Sequence, residues 1–217
     1  SYYSNNKEYK IGSCKHSDLC TFSFHPVKTI TTGEGGIVTT NSKNFYLKMT
    51  EGRTVGISRK TEFKHWKYDV KNISLNFKLN DFQSALGISQ INKINKFINY
   101  RKRIFNLYND TLKDIKQISV PKYNLKNQSS YHLFLINIKN FNQRKKERLI
   151  KFMLKKKIIL QYHYIPLYKF KVFSGFYISE NSEKYYNSTL SLPIFFGLKK
   201  KDILLITSSL KLFFKNL

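Results

Sequence analysis

The spacing of apolar and polar residues changes several times along the chain, and each change marks an element. Residues 20–24 are short and alternate apolar with polar, as a strand does. Residues 31–36 read TTGEGG, a glycine-rich turn, and residues 37–40 are β-branched, a second strand signal. Together they predict a hairpin around Lys28. Asn41 stands where it can cap a short helix ending near Glu51. Asn80 and Gln83 have capping-box spacing, and Leu86, Ile91, Ile94, Ile98, Phe105 and Leu112 follow on roughly one helical face. This predicts a long helix running to about Asp110, with room for a kink. Beyond Pro121 the pattern predicts a strand over 131–138, a basic amphipathic helix over 144–156 and a strand over 158–164. A short helix over 180–187 and a C-terminal helix over 199–214 follow, the latter with Ile203, Leu204, Ile206, Leu210 and Phe213 as its apolar positions. Strand, helix, strand, helix in that order implies a small α/β domain with helices on one sheet face. A boundary is expected near 117–121.

Length and composition narrow the class. The 217 residues, 41% of them hydrophobic, are enough for one large or two small domains with a core. There is no internal repeat and no Gly/Ser- or Pro-rich linker. No apolar run approaches the ~20 residues of a membrane span, and no secretory signal pattern opens the chain. It begins at Ser1 rather than Met, as a chain missing its start would. Two cysteines, Cys14 and Cys20, do not make a disulfide scaffold, so a reducing, cytoplasmic compartment is expected.

Charge is the most extreme total: 39 basic against 13 acidic residues, net +26. One reading is nucleic-acid binding through release of phosphate counterions. The other is compositional bias. Only six of the 39 are Arg, and Asn, Ile, Phe and Tyr, which share AT-rich codons with Lys, are abundant too. Arg is the better residue for bidentate contacts to phosphates and bases, so its scarcity disfavours a nucleic-acid partner. The charge would still attract a nucleoside diphosphate.

One segment concentrates the candidate chemistry: FSFHPVKTITTGEGG, residues 22–36. It places a single lysine, Lys28, between a strand and a glycine-rich turn, with Ser23 five residues before it and His25 three before. A lysine amine forms Schiff bases once deprotonated. Standing alone, a hairpin lysine is more often a solvated surface group, one of 33 here. The segment FSFHPVKTITTGEGGIVTTN, however, resembles over its whole length the internal-lysine motif of the DegT-like nucleotide-sugar aminotransferases, which are fold-type-I pyridoxal-phosphate (PLP) enzymes. The resemblance implies that Lys28 holds the cofactor as a Schiff base, that Ser23 contacts its phosphate, and that His25 lies near the substrate.

Two further stretches carry the same resemblance. WKYDVKNISLNFKLNDFQSALGISQ is similar to the family segment whose NYR-type motif supplies an asparagine to the cofactor phosphate of the other subunit. That residue is Asn76, and Lys78 stands where the family has Arg, losing a planar fork. QYHYIPLYKFKVFSGF and YYNSTLSLPIFFGL resemble the C-terminal domain of the branch acting in pseudaminic-acid biosynthesis. His163 is then the candidate contact to the sugar nucleotide, while Tyr168 replaces a second histidine of that branch and leaves the sugar open.

The resemblance implies the C-terminal part of an aspartate-aminotransferase-like α/β fold: residues 1–117 as part of a large cofactor domain with a long linking helix, and 118–217 as a small α/β domain. It implies transamination of a UDP-linked 4-keto-6-deoxy amino sugar for cell-surface glycans, with PLP as cofactor, glutamate as donor and a homodimer as the working form. A dehydratase-like relative would replace the lysine with histidine, so Lys28 argues for transamination. No metal, nucleic acid or membrane is expected as partner. The family's phosphate-cradling loop, its ring-stacking aromatic and the Asp that pairs with the cofactor's ring nitrogen are expected upstream, outside this sequence. An inactive fragment or pseudoenzyme of the same fold is therefore the alternative, with a basic nucleic-acid-binding protein behind it.

Overall fold

The computed structural model describes residues 1–58, 66–120, 128–173, 175 and 177–217. Contacts divide the chain into two compact units, Ser1–Ile94 with Leu125–Gln128, and Asn95–Asn124 with Ser129–Leu217. The division between these contact units falls within the long helical region, so most of the expected linking helix packs with the second unit.

The first unit is built from hairpins and two helices. Strands β1 (Tyr2–Ser4) and β2 (Lys7–Tyr9) pair antiparallel, as do β3 (Cys20–Ser23) and β4 (Gly36–Thr39), the latter in the register Cys20↔Thr39 to Ser23↔Gly36. This is the hairpin expected around Lys28. Helix α1 spans Lys43–Arg53, and its cap is Ser42 rather than Asn41: the Phe45 N–H donates to Ser42 Oγ. Asn41 instead donates its side-chain amide to the carbonyls of Ser13 and Cys14, at 2.9 and 3.1 Å. Strands β5 (Ile57–Ser58) and β6 (Asp69–Val70) form a third small hairpin.

Helix α2 (Asp81–Ile91) opens with the expected capping box: the Gln83 N–H donates to Asn80 Oδ1 at 2.9 Å, and the Asn80 N–H donates to Gln83 Oε1 at 3.2 Å. The expected single helix is two. A turn at Asn92–Lys93 separates α2 from α3 (Ile94–Leu112), with the Lys93 N–H donating to the Gln90 carbonyl.

The second unit holds the core. Strands β7 (Ile118–Ser119), β8 (Phe134–Ile138) and β9 (Thr189–Leu192) make an antiparallel sheet in the order β7-β8-β9. Helices α4 (Gln143–Lys155), α5 (Glu180–Ser188) and α6 (Lys200–Lys215) match the expected helices within a residue or two. The strand expected over 158–164 does not form. That segment touches the sheet only through the bridge Gln161↔Ser191. Its place is taken by β9, whose four residues are all buried and therefore covered on both faces.

The core gathers Ile104, Tyr108 and Leu112 of α3, Phe134 and Ile136 of β8, Leu149 and Met153 of α4, and Leu210 of α6. Arg101 is buried among them, its Nη1 donating to the carbonyls of His132 (3.0 Å) and Ile194 (2.9 Å) and more weakly to that of Tyr131. Every buried large apolar residue described belongs to this unit. In the first unit, Thr32 and Gly56 are the buried residues among those described, and neither α1 nor α2 buries a side chain.

Candidate functional site

Lys28 sits in the β3–β4 loop, held by local polar bonds. The chain leaves β3 at Ser23 and turns at His25–Lys28, where the Lys28 N–H donates to the His25 carbonyl at 2.9 Å. The loop then closes on the Phe24 carbonyl, which accepts from the Thr32 N–H at 3.0 Å and from Thr31 Oγ1 at 2.8 Å. Thr32, almost wholly buried, donates its hydroxyl to the Glu34 carbonyl at 2.7 Å. Gly35 has φ +144°, and a Cβ there would lie 2.6 Å from both Thr32 Oγ1 and Leu79 Cδ1, so the turn admits no side chain at that position. Gln83 Nε2 of α2 donates to the Glu34 carbonyl at 3.0 Å, tying the loop to the capping box.

Lys28 is half-buried, and its ammonium makes no hydrogen bond or ion pair with another described residue. Ser23 is exposed; its Oγ accepts the His25 N–H at 3.3 Å, which leaves its O–H free to donate. His25 accepts the Val27 N–H on Nδ1 and places Nε2 3.8 Å from Glu34 Oε1, both side chains being largely exposed. Asn76 stands at a bridge to Thr54; its Oδ1 accepts the Lys78 N–H at 3.3 Å, and its amide N–H₂ is free to donate. The first unit thus carries an unpaired amine, a hydroxyl donor and an amide donor. This donor set fits an aldehyde-bearing cofactor with a phosphate dianion.

His163 lies in the second unit. Its Nδ1 is 2.7 Å from Ser191 Oγ on β9, and its ring packs edge-on against Tyr164 at 4.8 Å. Tyr162 and Tyr164, its neighbours in sequence, face an open groove. Tyr168 lines the same groove, its hydroxyl donating to Glu183 Oε1 at 3.0 Å. Lys169 pairs with the same carboxylate at 2.7 Å, and this pairing holds the Glu183 carboxyl below its ordinary value.

Thr31, Thr32 and Gln83 fix the lysine loop, a role beyond the turn and the capping box that the sequence marks for them. The double threonine before the first glycine was the available signal, since hydroxyls bonding local carbonyls are the usual means of closing such turns.

The comparisons with known proteins converge on one family. The description "DegT/DnrJ/EryC1/StrS aminotransferase family" matches residues 1–211. The chain belongs to this family. It is 33% identical over 207 residues to the UDP-4-amino-4,6-dideoxy-N-acetyl-beta-L-altrosamine transaminase of Campylobacter jejuni, covering 94% of this chain and 54% of that protein. Among solved structures it is similar to Helicobacter pylori PseC, an aminotransferase involved in the biosynthesis of pseudoaminic acid. That match has a TM-score of 0.84 and 29% identity, and it covers 100% of this chain and 59% of that one. The PLP form of the sugar aminotransferase Spr1654 of Streptococcus pneumoniae matches with a TM-score of 0.86 at 21% identity, over 94% of this chain and 53% of that one. The fold is therefore that of the PLP-dependent sugar aminotransferases, and the chain spans about half the length of the relatives it matches. No helix among the described residues is long and apolar enough to cross a membrane.

Proposed function

We propose that this chain is the C-terminal portion of a sugar aminotransferase that uses PLP to aminate a UDP-linked 4-keto-6-deoxy amino sugar, with glutamate as donor. The observation that carries the reading is Lys28: a half-buried amine, unpaired among the described residues, in a hairpin whose sequence resembles the family's lysine motif and lies within the residues 1–211 that match the family. Relatives named for UDP-linked amino-sugar transamination support the substrate class.

PLP, when bound, supplies an electron sink for the carbon that gains or loses the amine. The rest falls to this chain's residues. Lys28 would hold the cofactor as a Schiff base and, when free, would move a proton at the substrate's amine-bearing carbon. The Ser23 hydroxyl donates to the phosphate, and the Asn76 amide does so across a homodimer. His25 and His163 are proposed substrate contacts. The net charge of +26 favours capture of the nucleoside diphosphate. The proposed domain division is residues 1–117 for the cofactor and 118–217 for the small domain.

The test is covalent. The purified chain and Lys28→Ala are incubated with PLP, followed by absorbance, reduced with borohydride and mapped by mass spectrometry. The expected result is a saturable adduct on Lys28 that the substitution abolishes. Labelling spread over the other lysines with none favoured would overturn the assignment.

A second reading, an inactive fragment of the same fold, is favoured by the exposed state of the first unit. Its apolar residues Ile73, Leu75, Phe77 and Phe82 are all more than half exposed. A cofactor site on such a scaffold needs cover that these residues do not give one another. Adduct formation on Lys28 at ordinary PLP concentrations would decide against it.

A further inference from the structure

The open end of the β3–β4 hairpin brings together both cysteines of the chain. Cys14 Sγ lies 3.2 Å from the Thr39 carbonyl oxygen and 3.4 Å from Thr39 Oγ1. Thr39 ends β4, and its registered partner on β3 is Cys20. The direction of that carbonyl follows from the ladder. One position beyond the Ser23↔Gly36 pair, the Phe24 N–H donates to the Gly35 carbonyl. Hydrogen-bonded pairs in an antiparallel ladder recur at every second position. Phe22↔Ile37 and Cys20↔Thr39 are therefore hydrogen-bonded pairs, and the Thr39 carbonyl points across the strand gap at Cys20.

The two thiols also share a face. Opposed residues project from the same side of a sheet, as do residues two apart on one strand. Cys20, Phe22 and Thr39 are such a set. The segment before the hairpin lies over that side: the Thr39 hydroxyl donates to the Gly12 carbonyl at 2.9 Å, and a Cβ at Gly12 would come within 2.8 Å of the Phe22 ring. Cys14 thus reaches the Thr39 carbonyl from the face on which Cys20 projects.

Its surroundings fix that approach. Cys14 has φ +50°, an uncommon region for a residue with a side chain, and Asn41 holds it there by donating to the Ser13 and Cys14 carbonyls. The stretch between the cysteines is tethered as well. His16 Nδ1 lies 2.7 Å from the Tyr2 hydroxyl, and Thr40 Oγ1 donates to the Asp18 carbonyl at 2.8 Å. Both thiols are free and half-buried, which leaves them open to a small oxidant.

We propose that Cys14 and Cys20 form a reversible oxidation site, a thiol pair that a peroxide closes into a disulfide across the open end of the hairpin. One thiolate attacks hydrogen peroxide and becomes a sulfenic acid, the displaced hydroxide leaving as water with the thiol's proton. The second thiol then attacks that sulfur, and the sulfenic oxygen leaves as a second water. Two thiols are oxidised by two electrons, one peroxide is reduced, and exchange with a dithiol reverses the change. The bond ties the segment carrying Gly12 to the strand that leads to Ser23 and Lys28. It braces a hairpin in a unit whose described apolar residues are not buried, because closing the loop removes conformations from the open chain. This site stands independently of the cofactor reading.

The experiment treats the whole chain with stoichiometric hydrogen peroxide, native and in urea, then quenches with iodoacetamide and digests with trypsin. Cleavage after Lys15 separates the cysteines, so the disulfide joins residues 11–15 to residues 16–28 until it is reduced. The expected result is that joined pair of peptides, formed at least about tenfold faster in the native chain than in urea, because the fold rather than short spacing positions the thiols. Cys14→Ser and Cys20→Ser should each abolish it, and either variant suffices if the other misfolds. Amide exchange at Phe22 and Ile37 should slow at least about tenfold on oxidation and recover with dithiothreitol. The proposal is overturned by equal rates in native and unfolded chain, by sulfinic acid or disulfides between chains in place of the joined peptides, by thiols that stay open to alkylation, or by exchange that oxidation leaves unchanged.

Discussion

Lys146 gives the sharpest stability test in the second unit. It lies on α4 with 1% of its surface exposed, its ammonium donating to the Tyr186 carbonyl and lying 4.0 Å from the Tyr186 ring centroid and 4.9 Å from that of Tyr162. Lys169, Glu183 and Glu147 act on the Tyr186 hydroxyl, and among the described residues no carboxylate forms an ion pair with the Lys146 ammonium. Burial pushes its pKa down from 10.5 to about 8. Between pH 7 and pH 9 the folded protein therefore loses this proton while the unfolded chain keeps it. The unfolded state binds more protons, so stability rises with pH across that window. A fall from 10.5 to about 8 gives a gain of about 1.4 kcal/mol over the two pH units. The carbonyl and the two rings favour the charged form, so this figure is an upper bound and the expected gain is about 1 kcal/mol. The assay is urea unfolding followed by far-UV circular dichroism at pH 7, 8 and 9 and constant ionic strength, on wild type and Lys146→Met. Wild type should gain stability with pH and the variant should not, whatever its absolute stability. A wild-type profile that is flat or falls, or a variant that keeps the full slope, would refute the assignment of a buried, weakly compensated cation.

Three other outcomes test the packing. Arg101→Met should cost about 2–4 kcal/mol in thermal or urea unfolding, because three carbonyls lose a donor in a buried setting. Leu210→Ala, at a fully buried position of α6, should cost about 2–5 kcal/mol, whereas Phe82→Ser, 89% exposed on α2, should stay within about 0.5 kcal/mol and raise solubility. Gly56→Ala should loosen the β5–β6 hairpin, seen as faster amide exchange of Lys71, whose N–H donates to the Gly56 carbonyl: at φ +74° a Cβ would meet the Asn72 carbonyl oxygen at 1.8 Å.

Much of the fold was legible because its signals are local. The Asn80–Gln83 box and the β-branched run ending the Lys28 hairpin both formed as read, since each depends on residues a few positions apart. Competition was not legible. Residues 158–164 are the more apolar segment, yet Thr189–Leu192 enters the sheet, pairing with β8 at four registered positions, while Gln161 makes a single bridge to Ser191 on the other edge of β9. Asn41 and Ser42 are both good caps, and Asn41 was diverted to the Ser13 and Cys14 carbonyls. The groove is not legible for a related reason: His163 is the titratable residue of its segment, yet it bonds inward to Ser191 while its flanking tyrosines face the groove.

The candidate lysine site was legible for a different reason from the core. An amphipathic pattern encodes a face and says nothing of what covers it: α2 is correctly a helix, yet Phe82, Ile88 and Ile91 remain exposed. The hairpin that holds Lys28 therefore takes its shape from polar bonds, with Thr31, Thr32 and Gln83 closing on the Phe24 and Glu34 carbonyls, and from the absence of a side chain at Gly35. The two threonine bonds are local and fixed by residue type, and the Gln83 bond ties the loop to the α2 capping box 49 residues on. This places the vulnerability of the site: removing the Thr32 hydroxyl should disturb the Lys28 loop more than enlarging or shrinking an apolar side chain of the first unit, because none of its described apolar residues is buried.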